Sequence, residues 1–368
     1  MIEYKLKELL EIKNGRDYKH LKKGNIPVYG SGGLMRYVDE YLYKGKSVLL
    51  PRKGTLSNIQ YVNEAFWTVD TIYYSIVDEN KAEPYYLYNY VKLLDLKHLN
   101  TGTGVPSMTF GAYYDIPIKL PNLQTQKSIA KVLSDLDSKI AINNKINAAL
   151  EAMAKTLYDY WFVQFDFPDK NGKPYKSSEG KMIFNEDLKR EIPVGWEVKE
   201  LASKADFKNG KGMKKELLSD IGKTPVFGSN GIVGKTEKSL FNNTVIAIGR
   251  VGANYGEIHY SIDPCWITDN AVTSQPKSEI YLWWLLLTLK TINYSNISGG
   301  SAQPLITQGK LKALQFPIPN SFLLDEFHKI ANPNYIKINN ILKQNQKLSE
   351  LRDWLLPMLM NGQVSVGE

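Results

Sequence analysis

The chain has 368 residues, of which 43% are hydrophobic and 23% charged, a globular composition that excludes a disordered or fibrous polypeptide. The formal charge is +8, and the lone Cys265 excludes an intrachain disulfide framework or a cysteine metal cluster. His20, His98, His259 and His328 are widely separated, so no metal site is expected.

In chain order, the amino terminus alternates charged and apolar residues and lacks a signal-peptide core. Residues 1–120 are rich in Gly, Tyr and short apolar runs such as Ser47-Val48-Leu49-Leu50, the pattern of short strands between Gly-rich turns. A helix is expected over 82–95. Residues 121–165 read as one long helix, with no Pro or Gly from Gln124 to Phe162. Steps of four and three residues give a coiled-coil seam of Ile129, Leu133, Leu136, Ile140, Asn143, Asn147, Leu150, Ala154, Leu157 and Trp161. Residues 166–192 are polar and Pro/Gly-bearing, an ordered linker. Residues 193–320 again read as strands and turns, with a helix over 278–291. The run Tyr281–Leu289 is too short to span a bilayer, so the chain is expected to be cytoplasmic, with no membrane partner. Residues 321–368 supply a second long helix, with Ile338, Leu342, Leu348, Leu351 and Leu355 as its stripe and a break expected near Pro333.

The charge is not spread evenly. Residues 1–50 carry a net +4 and residues 201–250 a net +5, while the remainder is close to neutral. Two basic segments about 200 residues apart prompt a search for a repeat. Lys13-Asn14-Gly15 recurs as Lys208-Asn209-Gly210, and Pro27-Val28-Tyr29-Gly30-Ser31 as Pro225-Val226-Phe227-Gly228-Ser229. Arg52-Lys53-Gly54 matches Arg250-Val251-Gly252, Trp67–Asp70 matches Trp266–Asp269, and Pro106–Thr109 matches Pro304–Thr307. The expected fold is therefore α+β: two duplicated α/β domains, each followed by a long helix, the two helices covering one another's apolar stripes.

Catalytic signatures are weak. Pro168-Asp169 with Glu179-Gly180-Lys181 fits a metal-nuclease pattern only superficially, since it falls among turn residues. Asn332-Pro333-Asn334-Tyr335 approaches an adenine-methyltransferase motif, but no S-adenosylmethionine glycine loop precedes a strand. No catalytic residue, metal or cofactor is expected. Lys-rich loops beside Asn, Ser and Arg point to nucleic acid: lysines attract phosphate, and Arg, Asn and Ser can read base edges in a major groove. Arginine is scarce, six against 40 lysines, yet Arg16, Arg52 and Arg250 all fall in the repeat-matched loops.

Three further blocks carry a family resemblance: Leu157-Tyr158-Asp159-Tyr160-Trp161-Phe162, Ile192-Pro193-Val194-Gly195-Trp196, and Ile116-Pro117-Ile118-Lys119-Leu120-Pro121 leading to Gln126. With the two-copy layout, the chain resembles the specificity subunit of type I restriction–modification systems over essentially its full length. The resemblance implies two target recognition domains, 1–120 and 193–320, separated by an antiparallel pair of long helices with pseudo-twofold symmetry. It implies a non-catalytic chain that reads a bipartite target and docks two modification (methyltransferase) subunits and restriction (translocase/nuclease) subunits. A specificity subunit of a type IIB system is the related alternative. DNA contact is carried onto Lys13, Asn14, Arg16, Ser31, Arg52, Lys53, Thr101 and Thr103 in the first copy. In the second it is carried onto Lys208, Asn209, Lys211, Lys214, Ser229, Asn230, Arg250, Ser301 and Gln303. Partner docking is placed near Tyr158, Tyr160 and Trp161.

Overall fold

The computed structural model describes the whole chain except residues 97–98, 101, 103, 220, 300–303 and 367–368. It divides into two compact units, Met1–Ile142 with Gln344–Glu368, and Asn143–Lys343.

In the first unit a six-stranded sheet runs in the order Leu10–Asn14, Ile72–Val77, Tyr43–Pro51, Gln60–Thr68, Ile26–Gly30, Gly33–Val38. Every adjacent pair is antiparallel except one, where Val28 and Tyr29 pair in parallel with Trp67 and Thr68. A separate ribbon joins Ile2–Lys5 to Pro117–Leu120. The helix Pro84–Leu93 starts at Glu83, whose carboxylate accepts the Tyr86 amide. It buries Tyr86, Leu87 and Val91 in a core with Leu6, Val48, Leu50, Tyr113 and Ile118.

The second unit repeats this plan. Ala205–Asn209, Ala271–Pro276, Val245–Gly249 and Ile258–Ser261 form a four-stranded sheet, and Gly231–Thr236, Thr224–Gly228 and Trp266–Ile267 a three-stranded one. The parallel contact recurs as Val226 with Trp266 and Phe227 with Ile267. The single strand Gln60–Thr68 of the first copy corresponds to two strands here, interrupted at Asp263-Pro264. Proline has no amide hydrogen for the ladder, which accounts for the break. The helix Leu282–Thr291 is buried from Leu282 through Leu289, so the longest apolar run is a core element. No described helix is long and apolar enough to cross a membrane.

The first long helix, Leu123–Tyr158, continues as a π-helical turn over Asp159–Val163. The second runs unbroken over Ser321–Met360. Each is capped by an asparagine just ahead of it: Asn122 accepts the Thr125 amide, and Asn320 accepts the Leu323 amide. All ten residues of the expected first seam are buried or half-buried.

The second helix departs from expectation in two ways. It passes through Pro333 without a break, although proline inside a helix costs roughly 3 kcal/mol. Phe327, Ala331, Tyr335 and Ile338 are buried around that point, and Tyr335 stacks on Trp283 at 4.0 Å between centroids. Burying one large apolar side chain contributes about 1.5–3 kcal/mol, so packing outweighs the local preference. Its stripe is also rotated: Leu342 and Leu351 are exposed, while Ile341, Asn345 and Leu356 are buried.

Within each unit the beginning of one long helix packs against the end of the other. In the first unit Ile129, Ala130 and Leu133 share a core with Leu356, Leu359 and Met360. There Asp137 accepts from Arg352 Nη1 at 2.7 Å and from the Tyr85 hydroxyl. In the second unit Ala154, Tyr158, Trp161 and Phe162 share a core with Phe327, Ala331, Tyr335 and Ile338. The segment 166–192 folds onto that unit as a turn and a hairpin, Met182–Asn185 with Arg190–Pro193. Phe167 stacks there between Tyr175 and Trp196.

Candidate nucleic-acid interface

The motifs that recur in sequence occupy equivalent places in the two copies, and the backbone shows why those residues recur. The loop after the first sheet strand carries Asn14-Gly15-Arg16 in one copy and Asn209-Gly210-Lys211 in the other. The Arg16 amide donates to Thr68 O at 2.8 Å, and the Lys211 amide to Ile267 O at 2.9 Å. In return the indole of Trp67 donates to Arg16 O at 2.8 Å, and that of Trp266 to Lys211 O at 2.7 Å. The middle glycine permits this clasp. A Cβ at Gly15 would lie 2.0 Å from Val69 O, and one at Gly210 would lie 2.1 Å from Thr268 O.

The arginines of the third motif are held alike. Arg52 Nη1 donates to Asp70 O at 3.4 Å and Arg250 Nη1 to Asp269 O at 3.3 Å. Their carbonyls accept the amides of Met108 and Ile306, at 2.9 and 3.0 Å. Those two residues precede Thr109 and Thr307, whose hydroxyls cap the short helices Phe110–Tyr114 and Gln308–Lys312. The Gly-Ser turn docks on the same cluster. Ser31 receives the Asn58 side chain on its carbonyl at 2.7 Å. The Ser229 hydroxyl lies 2.7 Å from Val251 O and 2.8 Å from Asn270 O, its single proton shared between these carbonyls. In each copy four loops distant in sequence thus converge through main-chain bonds.

The expected DNA-contact residues divide by exposure. Asn14, Arg16, Lys53, Lys208, Asn209, Lys211, Lys214 and Asn230 are exposed on or beside these loops. Lys13 is partly exposed and paired with Glu11, which raises its pKa, chiefly by hydrogen bonding. Arg52 and Arg250 are half-buried and oriented, each with the Nη1 edge of its guanidinium donating to a backbone carbonyl. Ser229 is committed to holding its turn, a positioning part. Thr101, Thr103, Ser301 and Gln303 lie outside the described residues.

The docking expectation is corrected for two of its three residues. Tyr158 and Trp161 are 4% and 7% exposed. The Tyr158 hydroxyl bonds to Thr288 at 3.0 Å, and burial pushes its pKa up to about 12. Trp161 packs against Phe162 and Phe327. Side chains enclosed in their own core cannot meet another chain; Tyr160, half exposed, can.

The enzyme-like motifs lie in structural roles. Asp169 accepts the amides of Asn171 and Lys173 in a turn, which lowers its pKa, while Glu179 sits on a left-handed residue at the end of a short helical turn. Adjacent strands of one sheet, which a metal nuclease of that pattern needs, do not carry them. Asn332 accepts the Trp283 indole at 2.9 Å inside the long helix. Among the described residues no group of three His, Cys, Asp or Glu could hold a metal ion.

Two elements were not picked out from sequence. The Trp-x-x-Asp carbonyl that grips each arginine is one; the repeat itself was its signal. The other is a pair of exposed apolar residues after each Gly-Ser turn, Leu34-Met35 and Ile232-Val233. Their identities differ between copies, so identity matching passes over them.

The fold is a duplicated mixed α/β domain with converging loops, each copy followed by a long helix. The sequence model described as "Type I restriction modification DNA specificity domain" matches residues 1–152 and 193–347. The chain belongs to that family and is a type I restriction–modification specificity subunit. It is 27% identical over 310 residues to the type I restriction enzyme MjaIX specificity subunit of Methanocaldococcus jannaschii, covering 77% of this chain and 69% of that one. It is 22% identical over 331 residues to the HindI specificity subunit of Haemophilus influenzae, covering 70% and 71%. In fold it is similar to the crystal structure of the type I restriction–modification S subunit from M. genitalium, with a TM-score of 0.69, 17% identity, and 97% and 95% of the two chains covered.

Proposed function

We propose that this chain reads a bipartite duplex DNA target, one half with each copy, and carries no catalytic step itself. The observation that supports this best is the matched loop cluster. Two domains present the same converging backbone with different side chains, Arg16 against Lys211 and Gly32 against Asn230. A shared frame with altered tips suits two half-sites of different sequence. Lysines on the loops supply salt-dependent phosphate attraction, and the oriented Arg52 and Arg250 are the leading readers of guanine.

The two long helices act as the spacer between half-sites and as the scaffold for modification and restriction subunits. Methyl transfer, ATP hydrolysis and strand cleavage then belong to those partners. Tyr160 is the docking residue retained from the sequence reading. A cytoplasmic location accompanies this role.

Mapping N6-methyladenine across the genome, with the subunit present and deleted, tests the reading. One split motif should disappear on deletion. Arg52→Ala should relax one half of that motif and Arg250→Ala the other, by roughly 10–100-fold in discrimination at the affected base. Persistence of every methylated motif after deletion would refute the proposal.

A further inference from the structure

Each copy carries a β-bulge at the same place, and it re-aims an apolar pair. In the first copy Val28 pairs with Arg36 and Tyr29 with Leu34, leaving Met35 as the extra residue. In the second Val226 pairs with Gly234 and Phe227 with Ile232, leaving Val233 as the extra residue. A bulge bends its strand and redirects side chains, and such features concentrate beside functional sites. Both bulges lie on the outermost strand of their sheet. Leu34 and Met35 are 51% and 52% exposed, and Ile232 and Val233 are 61% and 53% exposed. A single exposed apolar residue needs no explanation, but an exposed apolar pair on an edge strand, which in the second copy is bridged among the described residues only at Lys235 by Ser219, is a liability that proteins usually remove. Here it recurs in both copies, with residue identities changed and apolar character kept.

The position of these pairs points to what covers them. A Cβ at Gly30 would meet Met35 Sδ at 2.7 Å and Val69 Cγ2 at 3.4 Å; one at Gly228 would meet Val233 Cγ1 at 2.8 Å and Thr268 Oγ1 at 3.9 Å. The bulged side chain therefore lies over a glycine beside the loop that clasps Arg16 or Lys211. The same hairpin turn is held by the Ser31 amide donating to the Thr71 hydroxyl in the first copy and by the Ser229 hydroxyl donating to Val251 O in the arginine loop of the second. Exposed Arg36 follows the first pair, and partly exposed Lys235 stands two residues beyond the second. An apolar tip framed by cations on a β-ribbon matches the major groove, which admits a two-stranded ribbon and offers one apolar group, the thymine 5-methyl.

We infer that Leu34-Met35 and Ile232-Val233 are specificity-determining contacts to thymine methyl groups, one pair per half-site. The inference rests on the bipartite-reading proposal and adds residues and a base chemistry to it. The side chains differ between copies because the half-sites place their thymines differently.

The test uses the full chain assembled with its modification subunit and a duplex carrying the mapped motif, with single thymines replaced by uracil to remove only the methyl. In each half-site at least one replacement should weaken binding about fourfold, the value of one buried methyl-sized group. Leu34→Ser with Met35→Ser should abolish that penalty in one half-site, and Ile232→Ser with Val233→Ser in the other. Leu34→Ser alone, checked by thermal melting, guards against misfolding and should reduce the penalty. A complex that methylates one split motif yet shows no uracil penalty overturns the inference, as do penalties that survive in both double variants. Loss of subunit assembly with unchanged uracil discrimination also overturns it, and would mark the pairs as protein contacts. Absence of any unique methylated motif would instead sink the functional proposal on which the inference stands.

Discussion

Replacing Trp161 by alanine separates a core residue from a docking residue. Trp161 is 7% exposed and lies 6.0 Å from Phe327 and 6.2 Å from Phe162 between ring centroids. Removing a buried aromatic side chain costs about 3–5 kcal/mol, through lost transfer energy and the cavity left behind. The compact unit spans Asn143–Lys343, and for a unit of that size each kcal/mol lowers the melting temperature by about 2–4 °C. The expected drop is therefore about 10 °C in the transition of this unit. Intrinsic fluorescence follows it, because Trp196, Trp266, Trp283 and Trp284 remain there while only Trp67 and Trp354 lie in the other unit. Tyr160→Ala, one residue away but half exposed, should shift the same transition by less than about 2 °C. In a pull-down with the modification subunit, Tyr160→Ala should weaken capture while remaining folded. A Trp161→Ala chain that melts with the wild type but fails to bind the subunit would refute the packing argument and restore Trp161 as a surface residue.

Three further outcomes are expected. Gly210→Ala should lower stability by about 1–3 kcal/mol and weaken one half-site in a binding assay, because its Cβ would meet Thr268 O at 2.1 Å; full binding by this variant would show that the clasp is not needed. A double-mutant cycle of Asp137→Asn and Arg352→Met, read by urea unfolding, should give a coupling of about 1 kcal/mol, the charge-assisted bond being discounted for partial exposure; zero coupling would remove the pair as a helix tie. Burial pushes His259 and His328 below the usual imidazole value, partly opposed by Glu257 and by Glu279 and Asp325 respectively. Their folded forms favour the neutral ring, so stability is full above about pH 6.5 and falls as the pH drops toward the folded values. Melting at pH 7.5 and 5.5 should show this loss, and His328→Gln should reduce it; an unchanged slope would contradict the burial assignment.

The sequence by itself determined the duplication, the two long helices and the basic loops. These are local or periodic properties: a seam at alternating steps of four and three, glycines and asparagines at turns, and charge concentrated in matched segments. Legibility was lower in the site. Arg16, Arg52 and Arg250 stand out in the sequence because they fall in repeat-matched loops, Arg52 opposite Arg250 and Arg16 opposite Lys211. That Trp67 and Trp266 clasp the Arg16 and Lys211 loops depends on indole-to-carbonyl bonds between residues more than 50 apart, and that Asp70 and Asp269 hold Arg52 and Arg250 depends on contacts between separate strands' ends, none of which a local pattern encodes. Three matters were decided only by tertiary structure. Pro333 does not end its helix, because Trp283 and its neighbours bury the turns around it. Tyr158 and Trp161 face inward, because Phe327 from the other long helix completes their enclosure. The apolar pairs at Met35 and Val233 stay outside, because a bulge two residues beyond a Gly-Ser turn redirects them where strand alternation alone would set their direction. In each case propensity and pattern state what a residue prefers, and contacts from distant segments, each worth a few kcal/mol, decide where it goes.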